Sequence, residues 1–381
     1  MERTIFDEDH EAFRAACREY VTRHLTPNVE QFIKEKAYPR ELWLEAGRAG
    51  FLGLEIPEEY GGSAAGDYRY NAVFAEELAK VGMAAASCFG IHYDIVAPYL
   101  VDLGTEAQKQ RWLPGMASGE LLSAIGMTEP SGGSDLAALR TTGVRDGDAW
   151  VVNGSKTFIT NGTSCDLALV AVRTSPEKKA RGITLMVFEN GMPGYTKGQK
   201  LDKVGQTESD TCELFFENVR VSDANVIGDV DMGFIEMMKN LPQERISSGI
   251  SNLANARQIL EETIQYSKDR KAFGSSIGAF QYNKFVIAEM VTQCEVFQAY
   301  VDQAIMAHTQ GKFSAVDAAK VKWWGAQLLS EVLDRCLQLH GGYGYMNEYR
   351  VARAWRDARV TKIWAGTNEI MKELVGRDVG L

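Results

Sequence analysis

The stretch Ala149-Trp150-Val151-Val152-Asn153-Gly154-Ser155-Lys156-Thr157-Phe158-Ile159-Thr160-Asn161-Gly162 breaks the hydrophobic rhythm of the chain around it. β-Branched and aromatic residues alternate with polar ones, and two Asn-Gly pairs punctuate them, which is strand-and-turn chemistry, not helix. The pairs predict a hairpin-like unit in which Phe158 and Thr160, two residues apart, share a face. An aromatic ring beside a hydroxyl suits a flat heterocycle, through stacking plus a hydrogen bond, although core packing alone is the simpler account of Phe158. Further β-rich runs follow at 167–172, 183–189 and 212–221, separated by Gly, Asp, Asn and Ser. With few helical stretches between them, they predict an antiparallel sandwich or barrel over 121–229, not a βαβ sheet.

Both flanks read as helices. Asp7 suits an N-cap ahead of Phe13, Cys17, Tyr20 and His24, which recur at helical spacing. Pro39 suits the first position of a helix closed by Gly50, another helix is expected over 71–81, and Pro114-Gly115 predicts a stop. Beyond 230, Ile246, Ile250, Leu253, Leu260 and Ile264 form one apolar stripe, and Ile287, Cys294, Phe297, Val301 and Ile305 form another. Ser314 and Asp317 open a third long helix through Leu339. The expected fold class is α+β, with an all-α domain over 1–120, a β-sandwich or barrel domain over 121–229 and a helical bundle over 230–381. A chain of 381 residues is too long for one ordinary core, in keeping with that division.

The composition, 45% apolar and 24% charged, is that of a globular protein. The balance of 41 basic against 51 acidic residues gives a net charge of −10, which argues against a nucleic-acid binder. No apolar run reaches the ~20 residues of a membrane helix. The acidic start over 1–10 has neither signal-peptide nor transit-peptide composition, so a cytoplasmic protein without membrane attachment is expected. Six cysteines without a C-x-x-C pair read as reduced thiols, and five scattered histidines offer no metal spacing.

No G-x-G-x-x-G follows a strand, and neither a Walker-type loop nor a G-x-S-x-G elbow is present. Four other segments carry information. Met127-Thr128-Glu129-Pro130-Ser131-Gly132-Gly133-Ser134-Asp135 offers hydroxyls and free backbone to a polar ligand, or is a plain surface loop. The second is 153–162. Arg270-Lys271-Ala272-Phe273-Gly274 through Gln281 lies between two helices, where a solvated basic helix end is the plain reading. Gln338-Leu339-His340-Gly341-Gly342 reads first as a helix C-cap, and Ala365-Gly366-Thr367-Asn368-Glu369 follows it.

In this order, and with Ile56-Pro57-Glu58-Glu59-Tyr60-Gly61-Gly62 and the 104–114 stretch upstream, these segments resemble the acyl-CoA dehydrogenase family over nearly the whole chain. The resemblance implies a C-terminal four-helix bundle, FAD held between it and the β domain, and an acyl-CoA whose tail runs between helices. Met127, Thr128, Gly133 and Ser134 would lie along the flavin, with Thr128 at its pyrimidine edge and Ser134 also at the pantetheine. Phe158, followed by Ile159, takes the place where many members have Trp, and Thr160 would bond near flavin N5. Arg270, Phe273, Gln281, Gln338, Leu339, His340, Gly341 and Gly342 match positions that hold the pyrophosphate and adenylate across a subunit boundary. A homo-oligomer, usually a dimer of dimers, is therefore implied. Thr367, Asn368 and Glu369 match the segment that meets the cofactor from the C-terminal side, and an electron-transfer flavoprotein is the implied electron acceptor.

The sequence departs from the commonest family pattern at the catalytic base. Many members place a glutamate directly before Gly-Thr; here that position is Ala365. Either the site is silent or the base comes from elsewhere. In the isovaleryl- and long-chain-type subgroups it lies on the first bundle helix, and Leu241-Pro242-Gln243-Glu244-Arg245 matches that segment. Glu244 is thus the expected base and Glu369 the rival. The Ala365 backbone N–H remains to polarise the thioester carbonyl. Ser134, Pro242, Gln243, Arg245 and Gly366 are the expected substrate contacts. Ala84, Ala85, Ala86, Cys88 and Gly90 either leave room for the tail or permit tight helix packing, and Trp364 would narrow the site if turned inward. The implied reaction is α,β-dehydrogenation of an acyl-CoA to the trans-2-enoyl-CoA. A silent FAD-binding homologue, an oxidase and a carrier-bound acyl group stand as alternatives.

Overall fold

The computed structural model describes residues 2–381. Its N-terminal part holds α1 (Glu8–Tyr20), α2 (Val29–Glu35), α3 (Arg40–Arg48), α4 (Tyr68–Val81), α5 (Met83–Gly90), α6 (Ala97–Leu103) and α7 (Glu106–Ser118). Asp7 caps α1, its carboxylate accepting from the His10 amide. Between α5 and α6 the chain passes without a break through a π turn, Ile91–Val96. Contrary to expectation, the joined run Met83–Leu103 is long and apolar enough to cross a membrane, but 78% of its most apolar window is buried inside the protein. Ala84, Ala85 and Cys88 sit in a core with Phe74, Leu78 and Ala254, so this is a core helix built for close packing.

The stop expected at Pro114-Gly115 is absent, because α7 runs through both residues. Pro114 lies on the exposed side, so water can satisfy the Gln110 carbonyl that loses its donor, while Trp112, Leu113, Met116 and Ala117 bury the opposite face. The helix ends at Gly119, whose φ of +79° and contact with the Trp43 carbonyl exclude a side chain.

The middle region forms β1 (Ser123–Gly126), β2 (Thr142–Asp146), β3 (Ala149–Ile159), β4 (Leu167–Arg173), β5 (Ile183–Glu189), β6 (Tyr195–Lys197), β7 (Cys212–Ser222) and β8 (Val226–Ile227). Their order is β6-β7-β3-β2-β4-β5-β8, with β1 beside β4; the pairings are antiparallel except that β1 and β2 run parallel to β4. The β2–β4 link is a single pair, Thr142 with Arg173, and the sheet turns there. Val152, Leu214 and Val219 from one half then share a core with Val170, Val172 and Phe188 from the other, a sandwich-like closure. The second face of β4 and β5 packs on Tyr99, Trp112 and Met116, which explains why these strands read as unbroken apolar runs.

The expected hairpin inside 153–162 is instead one strand, β3, paired with β7 through two register shifts. At the first Asn-Gly pair, Asn153 accepts from the Asn218 amide and Gly154 presses on Thr141, so the pair makes a bulge instead of a turn. Asn161, with φ +60°, makes a true turn at the second.

The C-terminal part comprises α8 (Gly233–Asp269), the short hairpin β9 (Lys271–Ala272) and β10 (Ser275–Ser276), α9 (Gln281–Thr309), α10 (Ala315–His340), α11 (Arg350–Ala358) and α12 (Asn368–Asp378). Both apolar stripes face a common core, with Ile264 and Ile287 at its edge. Ser314 caps α10 by accepting from the Asp317 amide. With α10 packed against α8, α9 and α12, these helices form the four-helix bundle.

Candidate active site

Helix α8 carries Glu244 into the seam between the bundle and the N-terminal helices. The carboxyl is buried, and its Oε1 accepts from the Tyr99 hydroxyl at 3.2 Å. Burial pushes its pKa up to about 7; the Tyr99 hydrogen bond and the Arg245 charge oppose the shift, and Asp94 adds to it. Such a carboxyl exchanges protons near neutrality.

Gln243, an expected substrate contact, is engaged by hydrogen bonds within the protein. Its amide donates to Glu55 Oε1 at 2.7 Å and to Asp94 at 3.1 and 3.2 Å, and its oxygen pairs with His308 at 3.1 Å. Asn71 donates to the same two carboxyls, so the side chain is committed to a polar seam between domains. The π turn places Asp94 in that seam. Pro242 sits one residue earlier within α8, partly covered.

Opposite Glu244's neighbour lies the turn before α12. Ala365 and Gly366 both have positive φ, 51° and 87°. The Ala365 carbonyl accepts from Arg245 Nε at 3.4 Å, and the Gly366 carbonyl accepts from Lys322 Nζ at 2.5 Å. Among the described residues, neither the Ala365 nor the Gly366 amide has a backbone acceptor. Thr367 caps α12. Asn368 turns inward to Lys322, while Glu369 is exposed and its carboxyl is lowered by hydrogen bonds at the helix start, so the rival carboxylate lacks the burial a base needs. Trp364 packs on the bundle core, its indole N–H without a partner among the described residues.

In the β region, Met127 and Thr128 are partly covered, and the loop from Pro130 through Asp135, with Gly133 and Ser134, is exposed. Thr157 N–H donates to the Thr128 carbonyl at 2.9 Å, tying the loop to β3. Beneath it Lys156 reaches the Met127 carbonyl at 3.2 Å and Glu129 at 2.8 Å. Phe158 is 68% exposed with φ +60°, which removes core packing as its explanation. Ile159 points inward and is buried; Thr160 is half-covered.

The remaining candidates gather at the far end of the bundle. Arg270, Gln338, Leu339, His340, Gly341 and Gly342 line a groove of about 570 Å³ with Tyr266 and Tyr343, a size that suits a small-molecule moiety. The Arg270 guanidinium lies over the Tyr343 ring, and a Cβ on Gly341 or Gly342 would meet nothing within 4 Å. Two of these residues are also tied into the bundle. His340 is buried, stacked on Tyr266 and bonded to the Cys336 carbonyl, and Leu339 packs on the bundle core. Phe273 and Gln281 stand exposed nearby, Phe273 almost fully.

Family models for the acyl-CoA dehydrogenase N-terminal, middle and C-terminal domains match residues 7–120, 124–219 and 231–380. The chain belongs to the acyl-CoA dehydrogenase family. It is 41% identical to the long-chain specific acyl-CoA dehydrogenase of Rattus norvegicus mitochondria, over 99% of this chain and 88% of that one. It is 33% identical to the isovaleryl-CoA dehydrogenase of Solanum tuberosum mitochondria over 98% of this chain and 91% of that one. The crystal structure of an acyl-CoA dehydrogenase from Geobacillus kaustophilus superposes with a TM-score of 0.98 at 43% identity, covering both chains fully. Members of this family are flavoprotein oxidoreductases. In this acyl-CoA dehydrogenase fold, sequence reasoning missed Tyr99, Asp94, Glu55 and Lys322. Lys322 left a trace, an ammonium on the inward stripe of α10 between Ala318 and Ala326; the others left none.

Proposed function

We propose that this protein binds FAD and dehydrogenates an acyl-CoA thioester at its α and β carbons, with Glu244 taking the α-proton. The observation that carries the reading is the buried Glu244 carboxyl, poised near pH 7, on the helix whose next residue holds the turn with the free amides. A thioester α-proton is too weakly acidic for an exposed carboxylate, and burial raises the basicity of this one. The Ala365 N–H, lacking a backbone acceptor, would receive the charge that grows on the thioester oxygen.

The residues present fit the cofactor. Thr128, Thr160 and the exposed face of Phe158 offer hydroxyls and a flat apolar surface at the β domain. Arg270, Gln338, Gly341 and Gly342 offer a cation, an amide and open backbone to a pyrophosphate and adenylate. When bound, FAD supplies the two-electron oxidising chemistry that accepts the β-hydrogen. Exposed Phe273, Tyr282 and Phe285 around the start of α9 favour burial against another copy of the chain, consistent with a homo-oligomer in which the groove serves a neighbour. The six cysteines are all free, as in a reducing cytoplasm, and an electron-transfer flavoprotein is the proposed acceptor. Anaerobic mixing with straight, branched and aromatic acyl-CoAs tests the reading: at least one should bleach the flavin. A panel that leaves the flavin oxidised, carrier-bound thioesters included, would reject it.

A further inference from the structure

Lys322 is fully buried in the middle of α10, and among the described residues no carboxylate lies within ion-pair distance of its ammonium. Glu369, the acid that acts on it, is exposed, and Arg245 adds a second positive charge nearby. Burial and the Arg245 charge lower its pKa to about 7. Space alone would be filled more favourably by Met or Leu, so the ammonium is kept for what it bonds. Its acceptors are the Gly366 carbonyl at 2.5 Å and Asn368 Oδ1 at 3.4 Å.

We propose that Lys322 is a positioning residue that holds the turn bearing the thioester-polarising Ala365 amide, acting through the Gly366 carbonyl. The inference rests on the reading of Ala365 given above. Two consecutive carbonyls, Ala365 and Gly366, are each held by a buried cation, Arg245 and Lys322. In a trans peptide the N–H points opposite to the carbonyl of its own unit, so holding these two oxygens turns the amides of Gly366 and Thr367 the other way. The same clamp fixes Ala365 in its left-handed conformation, which a non-glycine residue keeps only where the surroundings over-determine it. The direction of the Ala365 N–H follows.

The test uses the FAD-loaded protein and two analogues: an isotope-labelled 2-enoyl thioester, which has no saturated α-carbon to deprotonate and keeps its carbonyl, and an acyl-CoA with sulfur in place of the β-methylene, which can lose its α-proton but cannot give up a hydride. In Lys322→Met the infrared carbonyl stretch of the bound, isotope-labelled analogue should move back toward its free value. Analogue affinity should change less than about threefold, while kcat on true substrates falls roughly 10- to 100-fold, the cost of a misaimed donor. Lys322→Gln, which retains a donor, should recover part of both. An unchanged carbonyl stretch overturns the proposal, and so does failure of both variants to fold with flavin, since Lys322 would then be a residue of stability alone. If wild-type protein never deprotonates the sulfur analogue, seen as no long-wavelength flavin band, the assignment of Glu244 falls, yet the carbonyl stretch of the enoyl analogue still decides the role of Lys322.

Discussion

Two buried glutamates in this molecule have opposite proton affinities, and the difference lies in what surrounds them. Glu129, under the 127–134 loop, accepts from Lys156 Nζ and from the Arg140 and Thr141 amides. Burial alone would raise its pKa, but the Lys156 charge, its hydrogen bond and the two amides outweigh burial and hold it at about 2. Glu244 has one phenol as donor, burial dominates, and its pKa rises to about 7. A carboxyl surrounded by donors is a fixed anion that braces a loop; one given a single donor is a group that can trade a proton. The two also affect stability with opposite sign. Glu129, whose folded pKa is lowered, adds stability above its unfolded pKa of 4.5, lost as pH falls through about 2. Glu244, whose folded pKa is raised, costs stability as pH climbs from 4.5 through about 7.

The comparison breaks most sharply by neutralising each acid in turn. Glu244→Gln should fold, bind FAD and acyl-CoA, and reduce its flavin ~10²- to 10⁴-fold more slowly, the range for loss of a general base. Above neutrality its Tm should exceed that of the wild type, and at strongly acidic pH the gain should vanish. Glu129→Gln should do the reverse, losing ~3–5 kcal/mol of stability because Lys156 is left buried without its anion. Chemical denaturation with stopped-flow flavin reduction separates the two; a Glu129 variant that keeps its stability while losing only rate would undo the distinction.

A gentler change acts on the single donor. Tyr99→Phe removes the hydrogen bond that favours ionised Glu244, so the carboxyl should become still harder to ionise. With Glu244 as the proposed base, wild-type kcat/KM should rise with pH through about 7, because a base must be ionised to take a proton. In the variant that limb should move to higher pH, with a loss of up to about tenfold on the acidic side, equivalent to ~1.4 kcal/mol, and little loss on the alkaline side. A uniform loss at all pH values would mean that Tyr99 acts by packing alone.

How far each glutamate could be read from the sequence differs for the same reason. The α–β–α order was legible because it rests on local periodicity, and the empty position at Ala365 pointed to Glu244 as the candidate base, a role that stands as proposed. The hairpin expected at 153–162 failed because Asn153 finds its partner in Asn218, on a strand far along the chain. The hydrogen-bond partners of Gln243 were not legible, because Glu55, Asp94 and His308 come from three separate segments. Tyr99 lies 145 residues from Glu244, and no local pattern marks it. Periodicity announces an element; it is silent on which distant donor meets a buried acid.

The smallest expected effect concerns how tightly each region is filled. Near Glu129 a Cβ added to Gly126 would meet Val170 at 3.2 Å and Lys156 at 3.3 Å, so that region has no spare volume. Gly90, at the end of α5 where the π turn carrying Asp94 begins, is buried, yet a Cβ there would meet nothing within 4 Å. Interiors rarely leave such space without use. On the dehydrogenase reading, this space takes the acyl tail, while Ala84 and Ala85 nearby are packed shut. Gly90→Leu should then lower kcat/KM for long straight acyl-CoAs by about tenfold and leave short ones nearly unchanged, since a few methylenes in an apolar pocket are worth no more. Equal losses at every chain length would place the tail elsewhere, and a stability gain with no kinetic change would mark the space as an ordinary packing defect.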